Sequence, residues 1–317
     1  MAHGIDASPD GRRRLDLIAK AAVVGAGVMG NGIAHSLALG GYQVVLIDAA
    51  PQALERALAT IRRNLQAAVQ RGKITQEQAH LAQANVVASV ELGPAAQAAL
   101  VIEAVPEEMA LKHSVLAQLD GICRPETVFA TNTSSLSITE IATAVHEPSR
   151  VVGMHYFNPA HIMKLIEIVR GLETSDRAVA TAQEVAATCG KETVLVNEAP
   201  GFVTSRINAL IGNEAFYMLM EGVASARDID KALKLGLNHP MGPFEMVDLV
   251  GLDTRLRVLE YLHRTLGEKF RPCPLLVKYV KAGRLGRKVG RGVYDYPEEL
   301  ERITEAKKRS APSVSMA

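Results

Sequence analysis

The chain lacks the charge imbalance that marks nucleic-acid or anionic-membrane binding. Its 317 residues carry 35 Lys and Arg against 34 Asp and Glu. Bulk electrostatics therefore favour no nucleic-acid or membrane partner, and any anionic ligand must be met by local groups. Cysteine is scarce as well. Cys123, Cys189 and Cys273 are odd in number, far apart and in no CxxC pair. That argues against a disulfide framework or a zinc site and fits a reducing, cytoplasmic compartment. No apolar run approaches the roughly 20 residues a membrane span needs. Residues 1–19 mix Asp6, Asp10 and Asp16 with Arg12, Arg13 and Arg14 and have no signal-peptide apolar core. The acids also argue against a mitochondrial transit peptide, and the segment is expected to be a flexible extension. Internal repeats and low-complexity tracts are missing. So are GxSxG, HExxH and an Asp-rich calcium loop, which leaves serine-hydrolase and metal-centred chemistry without a motif. No metal is expected.

What is present is a periodic, core-forming sequence. Apolar residues make up 48% and charged residues 22%, enough for about two soluble domains. From Ala21 to about Asn197, β-branched runs alternate with helical stretches. The runs are 21–25, 42–48, 85–90, 100–105, 128–131, 150–156, 163–169 and 193–196. Continuous apolar strands between helices predict a mostly parallel α/β sheet, doubly wound and covered on both faces. Helices are expected over 51–71, with Pro51 in the first turn, and over about 107–122. After Asn197 the strand signal stops. Residues 202–222 have helical apolar spacing, and Ser225 with Asp228 predicts a capping box for a helix through Leu235. Gly242-Pro243 opens another helix, and 253–266 forms one more before Gly267. The expected organisation is an α/β domain over 20–198, an all-helical domain over 199–297 and a loose charged tail over 298–317.

Gly25-Ala26-Gly27-Val28-Met29-Gly30 directly follows the first strand and opens a helix. In that position the glycines allow a tight turn and close approach of a pyrophosphate, and the helix N-terminus supplies N–H groups and a positive dipole end. The second strand ends on Asp48, an acid placed to accept from ribose hydroxyls and to repel a 2′-phosphate, which favours NAD over NADP. A Rossmann-type dinucleotide site is therefore expected. The bland alternative, a glycine-rich turn with no ligand, fits strand, loop, helix and acid less well.

Most of the nine histidines invite ordinary explanations. His3 lies in the extension, and His35, His80 and His113 fall on helices as exposed or partly buried residues. His155 differs, because it closes an apolar strand and enters the turn His155-Tyr156-Phe157-Asn158-Pro159. Strand ends are where ligands bind in this architecture. By period-two alternation Glu167 shares a face with Met163, Leu165 and Val169. A carboxylate there needs a partner, and a histidine whose tautomer it fixes is one candidate. Pairing with Lys164 or Arg170 at a solvated edge is the other. Ser134 and Ser135, in Thr131-Asn132-Thr133-Ser134-Ser135, also follow a strand; they suit either a substrate contact or plain turn and capping chemistry.

Several segments taken together resemble the short-chain L-3-hydroxyacyl-CoA dehydrogenases, including the bacterial 3-hydroxybutyryl-CoA dehydrogenases. They are VVGAGVMGNGIA, VIEAVPEEMALK, TNTSSLSITEIA, GMHYFNPAHIMKLIEIV, APGFVTSRI, NHPMGPFEMVDLVGLDT and GRLGRKVGRGVYDY, in the family's order from about residue 20 to 296. The resemblance implies that His155 is the catalytic base, Glu167 its orienting carboxylate and Ser134 a contact to the substrate oxygen. It implies that Glu107, Lys112, Ser134, Asn158 and Lys288 line the NAD site beside Gly25, Gly27, Val28, Met29, Gly30 and Asp48. It further implies an acyl-CoA substrate in the cleft between domains and a homodimer formed by the helical domain. The chain departs from the family at two places. PGFVTSR puts Ser205 where the family carries an active-site asparagine, and Asn208, one turn on, is a rival for that role. Among the CoA contacts Arg71 matches a basic position with Lys73 nearby, but Asn64 stands where a serine is expected. Two further readings share the scaffold: a dehydrogenase of a free hydroxy acid resembling L-gulonate or carnitine, and a non-catalytic, crystallin-like NAD-binding protein.

Overall fold

The computed structural model describes residues 20–310, with side chains through Ile303. Residues 1–19 and 311–317, assigned above to the extension and the end of the tail, lie outside the described residues. The chain divides into two compact units, one closing at Ala199 and the other opening at Pro200.

The first unit runs β1 (Lys20–Val24), α1 (Val28–Leu39), β2 (Gln43–Ile47), α2 (Pro51–Gln70), α3 (Gln76–Ala84) and β3 (Val86–Ser89). It continues through β4 (Leu100–Glu103), α4 (Met109–Asp120), β5 (Val128–Thr131), α5 (Ile138–Ala142), β6 (Val151–Tyr156), β7 (Leu165–Arg170), α6 (Asp176–Thr188) and β8 (Glu192–Asn197). One sheet results, in the order β3-β2-β1-β4-β5-β6-β7-β8. Strands β4, β5 and β6 are buried end to end, and Val23, Leu46, Ile102, Ala130, Met154 and Ile168 share a core with Ile33 and Leu37 of α1. The strand order turns at β1 and β4, so the loops after these strands open the crevice where ligands bind in such sheets.

Every pair of neighbours is parallel except β6 and β7. The connection 157–164 is too short for the dozen or more residues of a parallel crossover, so β7 must return antiparallel. Met163, expected on this strand, stays outside it and exposed. The Lys191 ammonium donates to the carbonyls of Ala160 and Met163, both at 2.8 Å, and fixes the turn instead. His35 is another correction. It is buried rather than exposed or partly buried, because α1 packs it against this turn, where its ring stacks on His161 with centroids 4.8 Å apart.

The second unit is helical: α7 (Thr204–Met220), α8 (Ala226–Gly236), α9 (Pro243–Val250), α10 (Leu252–Leu266), α11 (Pro274–Lys281) and α12 (Pro297–Ser310). Phe216 and Phe244 meet edge to face at 5.2 Å within a core that includes Leu259, Leu262 and Leu276. The expected capping box at α8 is only half formed. Ser225 Oγ accepts from the Asp228 N–H, but the Asp228 carboxylate accepts from that same hydroxyl rather than from the Ser225 backbone. The expected loose tail is helical up to Ser310. Pro297 sits in the first turn, and Glu298 and Glu299 lie at the positive end of the dipole.

Candidate active site

The glycine loop leaves β1 at the turning point of the sheet. Gly25 has φ +102°, and a Cβ there would lie 2.5 Å from the Ala104 carbonyl oxygen, so the turn admits only glycine. A Cβ on Gly27 would instead meet nothing within 4 Å. The space beside it is open, at the point where a pyrophosphate approaches a helix end. In α1 the Asn31 N–H donates to the Gly27 carbonyl, so the N–H groups of Val28, Met29 and Gly30 precede the intrahelical ladder and are free to meet an anion. Asp48, at the end of β2, accepts from the N–H of Ala26 at 2.8 Å and of Ala50 at 2.9 Å. It thus braces the loop. A carboxylate has about four lone-pair sites, which leaves acceptor capacity for ribose hydroxyls. These residues fit a bound dinucleotide.

His155 and Glu167 face each other directly across the antiparallel β6–β7 pair. Directly opposed residues of such a pair project to the same face, and His155 Nδ1–H donates to Glu167 Oε2 at 2.7 Å. Of the two partners open to Glu167, the structure selects the histidine. Glu167 is 0% exposed and His155 is 7% exposed. A carboxylate accepting at Nδ1 fixes the neutral ring in the tautomer whose Nε2 is basic. Phe157 packs at a tilt on the imidazole, centroids 4.7 Å apart.

Ser134 lies in the loop after β5, and Glu107 organises that loop. Glu107 Oε1 accepts from Thr133 Oγ1 at 2.6 Å and from the Ser134 N–H at 3.0 Å; the hydroxyls of Ser134 and Ser135 are at 3.4 and 3.3 Å. Glu107 Oε2 lies 3.3 Å from Lys112 Nζ. Burial pushes the Glu107 carboxyl up, but the Lys112 ammonium and the Thr133 and Ser134 hydrogen bonds outweigh it and hold the group below the usual glutamate range. Lys112 itself is buried and donates to both oxygens of Glu103. The Asn132 side-chain carbonyl accepts from the Tyr156 N–H at 2.9 Å, which ties this loop to the strand end carrying His155.

The remaining candidates are placed as follows. Asn158 is exposed in the turn after His155. Asn64 is half-buried on α2, and Arg71 and Lys73 are exposed just past its end. Ser205 and Asn208 are half-buried in the opening turns of α7, one turn apart. Lys288 belongs to the second unit, where its ammonium donates to Asp253 at 2.6 Å.

Sequence reasoning passed over Glu103, Thr131, Thr133 and the specific role of Asn132. For Glu103 the signal was there. It ends the apolar run Leu100-Val101-Ile102, and an acid on such a run demands a partner for the reason already applied to Glu167.

A glycine loop at the turning point of a doubly wound sheet, with a buried histidine–carboxylate pair at the same sheet's ligand-binding edge, defines a dinucleotide-dependent dehydrogenase. The family description "3-hydroxyacyl-CoA dehydrogenase, NAD binding domain" matches residues 20–199, and "3-hydroxyacyl-CoA dehydrogenase, C-terminal domain" matches residues 201–296. The chain belongs to the 3-hydroxyacyl-CoA dehydrogenase family. It is 47% identical over 278 residues to a probable 3-hydroxybutyryl-CoA dehydrogenase of Bacillus subtilis, covering 87% of this chain and 97% of that one. It is 44% identical over 281 residues to a 3-hydroxybutyryl-CoA dehydrogenase of Bradyrhizobium diazoefficiens, covering 88% and 96%. The crystal structure of (S)-3-hydroxybutyryl-CoA dehydrogenase from Ralstonia eutropha superposes with a TM-score of 0.86 at 42% identity, over 88% of this chain and 99% of the other.

Proposed function

We propose that the chain catalyses reversible, NAD-dependent oxidation of (S)-3-hydroxyacyl-CoA to 3-ketoacyl-CoA, with 3-hydroxybutyryl-CoA as its substrate and His155 as the base. The observation that carries this is the buried Nδ1–H bond to Glu167, which favours the tautomer whose Nε2 is basic. His155 Nε2 removes the proton of the C3 hydroxyl as the C3–H bond gives up its electron pair and the C–O bond becomes a carbonyl. When bound, NAD supplies the acceptor for that hydride. Glu167 stabilises the imidazolium, and Ser134 holds the substrate oxygen through its hydroxyl. In the reverse direction His155 is the acid.

Gly25, Gly27, Val28, Met29, Gly30 and Asp48 hold the adenosine and pyrophosphate. Glu107, Lys112, Ser134, Asn158 and Lys288 serve the rest of the cofactor site. Ser205 takes the place of the usual asparagine, with Asn208 as its rival, and Asn64, Arg71 and Lys73 meet the CoA. The helical unit forms a homodimer; the exposed Val223, Leu235 and Leu237 on that unit support this. No described helix is long and apolar enough to cross a membrane, and a cytoplasmic location fits that and the unpaired cysteines.

His155→Gln assayed with acetoacetyl-CoA and NADH is the test. A loss of about 10²–10⁴-fold in kcat with unchanged NADH affinity is expected; near wild-type turnover removes His155 from the base role. Running 3-hydroxybutyryl-CoA beside free 3-hydroxybutyrate separates the thioester enzyme from a free-acid dehydrogenase. Light scattering checks the dimer, with an expected mass of twice the 34.0 kDa of one chain.

A further inference from the structure

We propose that Glu103 is a positioning residue of the active site, acting through Lys112 on Glu107 and so on the loop that presents Ser134. This rests on the proposal that Glu107 and Ser134 serve the reaction.

Glu103 is the last residue of β4 and is 0% exposed. Its Oε1 accepts from the Val105 N–H at 2.7 Å and from Lys112 Nζ at 2.8 Å. Its Oε2 accepts from Lys112 Nζ at 3.0 Å and from Thr131 Oγ1 at 2.6 Å. Both oxygens are therefore held by groups anchored in the sheet or on α4. Lys112, at 1% exposure, cannot leave for water. Its ammonium also reaches Glu107 Oε2 at 3.3 Å and the Val105 carbonyl at 3.5 Å.

Two carboxylates around one ammonium are more than neutralisation requires. If Lys112 served only to make Glu103 tolerable inside the protein, a single acid would complete the pair. The second acid has a different setting. The Glu107 side chain is 38% exposed, and it turns its other oxygen to Thr133 and Ser134. Lys112 thus pins one oxygen of Glu107 and leaves the second to shape the Ser134 loop, while Glu103 decides where the Lys112 ammonium stands. Glu103 also joins the end of β4, which leads to Glu107, to the end of β5, from which the Ser134 loop departs. Its carbonyl accepts from the Asn132 N–H, and its carboxylate holds Thr131, the last residue of β5. A side chain three links from Ser134 is therefore the fixed point of the chain Glu103–Lys112–Glu107–Ser134.

The test is a double-mutant cycle on kcat/KM for acetoacetyl-CoA at saturating NADH, with Glu103→Gln, Glu107→Gln and both together. A residue that acts through another loses its effect once the other is gone. We expect Glu103→Gln to lower kcat/KM about tenfold in the wild-type background and less than about twofold in the Glu107→Gln background, a coupling well inside the measured range for networked residues. Equal fold losses in both backgrounds overturn the proposal, since a role in general stability would add independently. If Glu107→Gln alone leaves kcat/KM unchanged, the functional assignment of Glu107 falls first and the proposal falls with it. Should Glu103→Gln fail to fold, Thr131→Val removes one of the bonds that aim Glu103. Its smaller loss, about twofold to fivefold, is expected to vanish in the same background, and persistence there overturns the proposal equally.

Discussion

His155 and Glu167 form a pair whose worth depends on the proton at Nδ1. The carboxylate only accepts, so the ring must donate from Nδ1 and keep Nε2 basic. A Glu167→Gln substitution keeps the shape but offers an amide that can donate, which permits the opposite tautomer and no longer stabilises the imidazolium. The expected loss is about 10²–10⁴-fold in kcat with little change in NADH affinity, read by steady-state kinetics and NADH fluorescence. Loss of NADH binding instead would mean that the pair builds the cofactor site. Asp48 carries a second prediction at this scale. It braces the glycine loop through Ala26 and Ala50, and in the proposed cofactor site its negative charge would stand beside the ribose 2′ group. Asp48→Ser removes the charge and keeps an acceptor. It is expected to narrow the preference for NADH over NADPH by about tenfold, about 1.4 kcal/mol, within the range of close charge interactions. An unchanged ratio of kcat/KM values for the two cofactors contradicts that role.

Helix α1 presents its N-terminus at the glycine loop and its buried face, through His35, at the turn that follows β6. Burial, then the nearby His161 and Lys191, pushes the His35 imidazole down to about 4 from an ordinary 6.5. Between these values the unfolded chain binds a proton that the folded chain refuses, so stability falls as pH drops from about 6.5 toward 4. Urea unfolding at pH 7 and pH 4.5 is expected to show a loss of about 2 kcal/mol that His35→Met, which has no titrating ring, does not share. A matching loss in the variant would place the acid sensitivity elsewhere. At α9 the N-cap Gly242 has no side chain, and Asp230 of α8 supplies the cap from outside, accepting from the N–H groups of Phe244 and Glu245 at 2.8 and 3.1 Å. Asp230→Ala leaves those buried donors and Tyr294 Oη unpaired and is expected to cost about 2–3 kcal/mol in chemical denaturation.

The elements differ in how visible they were beforehand. Strands β1, β4, β5 and β6 are mostly apolar because both faces of the sheet are covered, so composition locates them, with their polar residues confined to the strand ends. The antiparallel return of β7 was also present, in the shortness of 157–164. Asp230 was not legible. It lies in a different helix from the one it caps, and no local spacing links residue 230 to residue 244. Glu103 lies between these cases: its need for a partner is local, but Lys112 and Thr131 reach it only through the sheet order.

For the whole molecule, near-zero net charge turns every anionic contact into a local matter and makes ligand response the informative measurement. NADH meets a loop that exists only in the folded chain, so it stabilises by mass action, about 2.7 kcal/mol at a hundredfold excess over Kd. NADPH is expected to do much less at the same concentration because Asp48 opposes its extra phosphate. A thermal shift by NADPH as large as that by NADH would contradict this. The thioester adds a second handle. If Arg71 and Lys73, both exposed past α2, meet the CoA phosphates, raising the salt from about 0.05 to 0.5 M shortens the Debye length from roughly 14 to 4 Å and screens them. KM for acetoacetyl-CoA is then expected to rise several-fold, and Arg71→Gln with Lys73→Gln should remove most of that salt dependence while leaving the NADH shift intact. If the doubly substituted chain keeps the full salt response, CoA is held by other groups, and the two cations are ordinary surface residues on a chain whose dehydrogenase chemistry would stand unchanged.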